Sequence, residues 1–369
     1  MALPTVWIKE PHTEAKHRIL EEYLKAWYPI LSKYNKRLVY IDGFAGPGKY
    51  EKGEDGSPII ALRCLLNHSH GLCQSGGTEF VFIFIEQDSE RADILERTIK
   101  EEYPNLPNNI KCGTYHGEFE TAMKTLLDVL DKEGKSLAPT FAFIDPFGYS
   151  GLPFYLIQRI LAFKRCEVFI NFAYNSINRF IETTDSREEV FDALFGTMKW
   201  RSIRDIRDPE ERNRQLVALY SSQLKRAAKH VRSFEMIDNR GNISYHLFFA
   251  TNHREGFKQM KSAMWRVDPR GSFRFADTTD AGQTFLLSFD DDPKFQNQAE
   301  IVYRNFAGKT APREFVENYC IDFTGFPTLW SGSLKILEND GRITVTNRKR
   351  DKTYPEGCTI KFKETEEKK

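Results

Sequence analysis

Between residues 37 and 172 the chain repeats one pattern five times: an apolar run of strand length followed by a run of helical character. The apolar runs are RLVYIDGFA, TEFVFIFIEQD, NIKCGTYHGEF, APTFAFIDPFG and CEVFINFAY. The first four lead into GSPIIALRCLLNH, SERADILERTIKEEY, ETAMKTLLDVLDKEG and LPFYLIQRILAFK, the fifth into a polar stretch of helix and loop. Strands that are apolar on both faces need cover on both. The pattern therefore predicts a mostly parallel, Rossmann-like α/β sheet sandwiched by helices.

The flanking segments extend this core. Apolar residues at Ile19, Leu20, Tyr23, Leu24, Trp27 and Ile30 recur with a helical period, predicting a helix over about 12–33 with Thr13 as its cap. Ser57 and Pro58 read as the cap and first turn of the next helix. A polar insertion over about 175–232 contains the helical run RQLVALYSSQLKRAAKHV, and SFEMID and ISYHLFFATN, joined by NRGN, read as an antiparallel edge pair. The segment DDDPKF breaks the pattern near residue 290. Beyond it, three helical runs precede GRITVTN, a basic turn RKRDKTYPEG and CTIKF, a winged-helix pattern. Two domains are expected, 1–290 and 291–369, the latter ending in a charged tail.

Composition excludes several function classes. The net charge of +1 gives no overall attraction to nucleic acid, so a basic surface must be local. The six cysteines, Cys64, Cys73, Cys112, Cys166, Cys320 and Cys358, form no zinc-spaced cluster, so no metal site is expected. They read as reduced, mostly buried thiols of a cytoplasmic protein. No leader-like or membrane-length apolar segment is read in the chain. The 29 phenylalanines suit an aromatic core and also supply stacking platforms.

Ligands of open parallel sheets bind outside the carboxyl ends of the strands, so the strand ends carry the functional reading. The first ends in Asp42-Gly43-Phe44-Ala45-Gly46-Pro47-Gly48, where glycines admit close backbone approach and positive φ. No G-K-[ST] follows, so a phosphate loop is the weaker reading, and the turn alone fits a simple chain reversal equally. The second ends in Glu86, 38 residues after Gly48, an acid placed to take ribose hydroxyls. At the third, Glu118 and Phe119 would flank an adenine, although Glu118 serves equally as a helix N-terminal charge. The fourth ends in Asp145-Pro146-Phe147-Gly148, an acid, a proline and an aromatic suited to orienting an exocyclic amine and stacking its ring. Asn171, on the fifth, either lines the same crevice or satisfies backbone.

This succession is that of a class I S-adenosylmethionine (SAM)-dependent methyltransferase, in which the protein mainly positions donor and nucleophile. HTEAKHRILEEYLKAW, YIDGFAGPGKY…GSP and FAFIDPFG together resemble the three-Cys-motif partner protein family, over nearly the whole chain. The resemblance implies a class I methyltransferase fold with SAM as cofactor and a neighbouring radical-SAM-like protein with three cysteines as partner. It draws in His12, Thr13, Lys16 and His17, and a helix there would present His12 and Lys16 to the crevice. D-P-F-G is also similar to the motif of tRNA guanine-N2 methyltransferases, and differs from the N-P-P-Y of adenine-N6 methyltransferases by lacking the second proline.

The resulting expectation is methyl transfer to a nucleic acid base at an exocyclic amine, with Asp145, Pro146 and Phe147 at the reacting end. Asp42, Gly43, Ala45, Gly46, Gly48, Glu86, Glu118 and Phe119 are expected at the cofactor, and Arg348, Lys349, Arg350 and Lys352 on phosphates. The alternative is an inactive methyltransferase-fold module that recruits nucleic acid or a partner protein.

Overall fold

The computed structural model describes residues 5–6, 8–68, 77–183, 187–238, 240–268, 274–276, 293–324 and 330–364. Helix α1 (Pro11–Ser32) leads into β1 (Arg37–Asp42), α2 (Ser57–Leu66), β2 (Glu79–Glu86), α3 (Ser89–Glu102), β3 (Ile110–His116), α4 (Phe119–Lys132), β4 (Thr140–Ile144), α5 (Phe154–Ala162) and β5 (Cys166–Phe172). Four helices follow, α6 (Tyr174–Phe180), α7 (Glu188–Phe195), α8 (Arg201–Arg204) and α9 (Pro209–Ala227). The hairpin β6 (His230–Ile237) and β7 (Ile243–Thr251), helix α10 (Arg254–Val267) and β8 (Arg274–Ala276) come next.

The sheet order is β3-β2-β1-β4-β5-β7-β6-β8. Strands β1 to β5 are parallel, and β7 runs antiparallel to both β5 and β6. This is the mostly parallel, Rossmann-like sheet expected from the sequence, doubly wound, with its order reversing between β1 and β4. Strands β1, β4 and β5 are almost wholly buried, as their apolar runs require. β3, at the sheet's edge, is buried only at Ile110 and alternates thereafter between exposed and partly covered positions.

Two helix starts differ from the sequence reading. α1 begins at Pro11 with Glu10 as its extended N-cap, so Thr13 lies inside the helix. Proline in the first turn removes an amide that no carbonyl would have met. α2 begins at Ser57 with Gly56 in the cap position, which releases the Ser57 hydroxyl to hydrogen-bond Asp42. Cys64, Cys166, Cys320 and Cys358 are buried free thiols and Cys112 is half-buried, while Cys73 lies outside the described residues.

Chain contacts divide the molecule into two compact units, one of residues 1–260 with 275–279 and one of 261–274 with 280–369. The second unit contains α11 (Pro293–Phe306), β9 (Thr310–Pro312), α12 (Arg313–Phe323), α13 (Trp330–Asn339), β10 (Ile343–Thr346) and β11 (Thr359–Phe362). Its three short strands form an antiparallel sheet in the order β10-β11-β9. The strand β9 was not visible in the sequence pattern, because only Ala311 of its three residues is buried. Among the described residues no helix is long and apolar enough to cross a membrane.

Candidate active site

The turn after β1 is stitched to its neighbours through its own amides. Gly43 N–H donates to Phe143 O at 2.8 Å, Ala45 N–H to Ile85 O at 2.9 Å, and Gly46 N–H to Glu86 Oε2 at 2.8 Å. A phosphate loop needs such donors free, and here three of them are spent on β4 and β2. Gly46 and Gly48 have φ of 62° and 83°, and a Cβ on Gly48 would stand 2.7 Å from Leu95 Cδ1. Glycine is therefore demanded at position 48 by conformation and by space together.

Asp42 is fully buried beneath this turn. Tyr40 O–H donates to its Oδ2 at 3.3 Å, and Phe44 N–H approaches its Oδ1 at 3.4 Å. Burial pushes its carboxyl from 3.8 up to about 7, opposed by the Ser57 hydrogen bond and reinforced by the charge of Asp145. Asp42 thus supports the turn from below and does not line the cavity above it.

That cavity, about 250 Å3, opens at the carboxyl ends of β1, β4 and β5. Its walls include Ala45, Gly46 and Gly48 of the turn, Asp145, Pro146 and Phe147 after β4, Asn171 of β5, and His12, Thr13, Lys16 and His17 of α1. Three of the site residues read from the glycine turn, Ala45, Gly46 and Gly48, are thus brought together with those of D-P-F-G and of the start of α1. Ser244 and Tyr245 of β7 complete the wall. These two had one available signal: a strand reversed within such a sheet starts, rather than ends, at the ligand edge.

The polar groups of the wall are tightly paired. Lys16 Nζ forms an ion pair with Asp145 Oδ2, and Asn171 Nδ2 donates to Asp145 Oδ1 at 2.7 Å. Tyr245 O–H donates to the His12 carbonyl at 2.9 Å and its ring lies 5.4 Å from Lys16 Nζ. His17 is buried, and burial, with the charges of Lys16 and Lys9 adding, holds its pKa well below the usual value of 6.5. Its imidazole is therefore uncharged at neutral pH. Phe147 is 54% exposed, with the Arg91 guanidinium 5.7 Å from its ring centroid.

Five of the expected cofactor contacts, Asp42 among them, are placed off this wall. Glu86 is buried behind Gly46, and its carboxylate brackets the turn to the start of α3 by accepting from Gly46 N–H and from Asp88 N–H at 2.9 Å. Phe119 is buried, stacked on Phe44 with ring centroids 5.6 Å apart, and it fills the space a Cβ on Gly43 would need. In this structure it is a packing residue under the turn, not an open face for adenine. Glu118 is exposed and accepts from Gln87 Nε2 at 3.2 Å. Gly43 lies beside Phe119, off the cavity wall.

In the second unit, Arg348 donates to both carboxylate oxygens of Glu338, which also accepts from Tyr354 O–H. Its side chain is thus paired within the second unit, whereas the sequence reading places it on phosphates. Lys349, Arg350 and Lys352 are exposed on the turn between β10 and β11.

Neither a protein-family model nor a curated protein sequence matches the chain. Among solved structures, it is similar to a putative O-methyltransferase from Klebsiella pneumoniae, at 11% identity and TM-score 0.36, covering 63% of this chain and 80% of that one. An O-methyltransferase from Bacillus cereus in complex with SAH shares 16% identity at TM-score 0.34, with 63% and 80% covered. A human methyltransferase 10 domain containing protein shares 12% identity at TM-score 0.29, with 63% and 82% covered.

Proposed function

We propose that the chain is a SAM-dependent methyltransferase acting on a nucleic acid base at an exocyclic amine. One observation carries this reading: the glycine turn after β1 and Asp145-Pro146-Phe147 after β4 wall a single cavity at the switch point of the sheet. The residues present fit the cofactor. Ala45, Gly46 and Gly48 present only backbone and one methyl to the cavity, with positive φ at both glycines, so the turn leaves room for a ligand to lie against its backbone. Ala45, Gly46 and Gly48 would hold its methionine part, with Glu86 fixing the turn from behind. When bound, SAM supplies an electrophilic methyl and its leaving group. The chain's own share is to orient the base against Phe147, exclude water and hold the amine in line.

Nucleic acid would be gripped by Lys349, Arg350 and Lys352, and a duplex substrate would have to extrude its base to reach the cavity. The radical-SAM-like three-Cys protein remains the partner this reading suggests. Calorimetry with S-adenosylhomocysteine tests the cofactor, and labelled methyl transfer to DNA, RNA and protein pools tests the substrate. No binding of S-adenosylhomocysteine sinks the enzyme reading. The second reading, a binding module without catalysis, is favoured by one feature: both oxygens of Asp145 already have protein partners. Binding to nucleic acid without any methyl transfer, even with the three-Cys protein present, would select it.

A further inference from the structure

The cavity carries charges that are already matched and acceptors that are not. Asp145 pairs with Lys16 through one oxygen and receives Asn171 Nδ2 at the other. An ionised carboxylate only accepts, so the nitrogen of the Asn171 amide must face it and the oxygen must face away. Asn171 is 9% exposed, and its Oδ1 is buried with no hydrogen-bond partner among the described residues. His17, 3% exposed on the same cavity, has a buried Nδ1 that is likewise unmet. Leaving a buried polar atom unsatisfied costs about 1–3 kcal/mol, and two such atoms belong to residues of one wall; both are closed to solvent, so a ligand group meets either only after a small turn of its side chain.

The character of that group follows from the charges. The Lys16–Asp145 pair leaves little net charge to draw a phosphate, a carboxylate or an ammonium ion to this end of the cavity. The Asn171 oxygen accepts and cannot donate. An uncharged donor satisfies it, and exposed Phe147 on the same wall favours one carried on a flat ring.

We propose that the group to be methylated enters as the uncharged NH2 of a nucleobase and is received by Asn171 Oδ1, with His17 as a second uncharged contact on the same wall. Lys16 and Asp145 are then positioning residues: they hold the Asn171 amide in the orientation that presents its oxygen. This rests on the methyltransferase reading above, and it moves the reading of the amine from Asp145 to Asn171.

Nucleosides that differ only by deamination test the assignment: adenosine against inosine, and cytidine against uridine, titrated calorimetrically into the full chain saturated with S-adenosylhomocysteine. At least one amino form should bind about tenfold tighter than its keto counterpart. Asn171→Leu should abolish that ratio while leaving S-adenosylhomocysteine affinity within about twofold. Asp145→Leu should also lose the ratio, and Asp145→Asn, which still offers an oxygen to Asn171 Nδ2, should keep it. That rescue separates positioning from a merely structural role. A ratio near one, a preference for the keto form, no binding of either member, or a ratio that survives Asn171→Leu overturns the assignment while the methyltransferase reading stands. Failure to bind S-adenosylhomocysteine overturns both. Should Asn171→Leu not fold, the wild-type ratio still decides.

Discussion

Replacing Lys16 by methionine removes one half of a buried ion pair. The Lys16 side chain is 6% exposed and that of Asp145 17%, so the pair sits far from the surface regime in which salt bridges contribute almost nothing. Breaking such a pair typically costs about 3–5 kcal/mol, because the surviving charge stays buried. Asp145 keeps its bond from Asn171 and some solvent access, which places Lys16→Met at the lower end, near 3 kcal/mol, or about a hundredfold in the folded-to-unfolded ratio. The double variant Lys16→Met/Asp145→Leu removes both charges and should lose less than the sum of the single losses, with a coupling of about 2 kcal/mol. Because the chain has two compact units, a global probe would mix their transitions. Hydrogen exchange across a urea series, read on peptides covering β1 and β4, confines the measurement to the first unit. The reasoning is refuted if Lys16→Met stays within about 0.5 kcal/mol of wild type, or if the two losses simply add.

Asp42 sets a pH signature. Its carboxyl is raised from 3.8 to about 7 by burial, so between those values the folded protein holds a proton that the unfolded chain has shed, and stability falls as pH rises. The swing is of order 4 kcal/mol, and Asp42→Asn should flatten it in urea titrations from pH 4 to 8; an unchanged curve removes Asp42 from the account. Gly48→Ala should cost about 2 kcal/mol and weaken S-adenosylhomocysteine binding, since φ of 83° and Leu95 both oppose a methyl group there. Wild-type stability in this variant would show that the turn relaxes freely. Substituting Lys349, Arg350 and Lys352 by alanine should lower the salt slope of nucleic acid binding by about 2–3, whereas Arg348→Ala should reduce stability and leave the slope unchanged. An identical slope in the triple variant removes this turn from the interface.

The sheet was legible in the sequence because its central strands are buried on both faces, and nothing but long apolar runs survives that placement. The strand ends were legible for the same reason: a polar residue closing an apolar run has few places to be. Pair partners were not. Lys16 and Asp145 are 129 residues apart, and no local pattern reports that a helix brings the one onto the other. Phe119 shows a different limit. A ring at the head of α4 looks the same whether it stacks on a ligand or on Phe44, and only the glycine beside it, which leaves room for the ring, decides. Arg348 sits in a basic run, yet Glu338, ten residues earlier at the end of α13, claims it.

The reversal of β7 has a consequence for how this site can diversify. Because β6 and β7 run in opposite directions, the tip that joins them lies at the sheet edge bearing the cavity, and Ser244 and Tyr245 enter the wall directly behind it. The tip is held by local bonds of its own, with Asp238 accepting from the amides of Arg240 and Asn242. Its length and side chains can therefore vary without loosening a single buried strand. Within this fold, the hairpin tip is thus the part of the cavity's edge where change is least costly, while the glycine turn, bonded to β2 and β4, is where it is most costly.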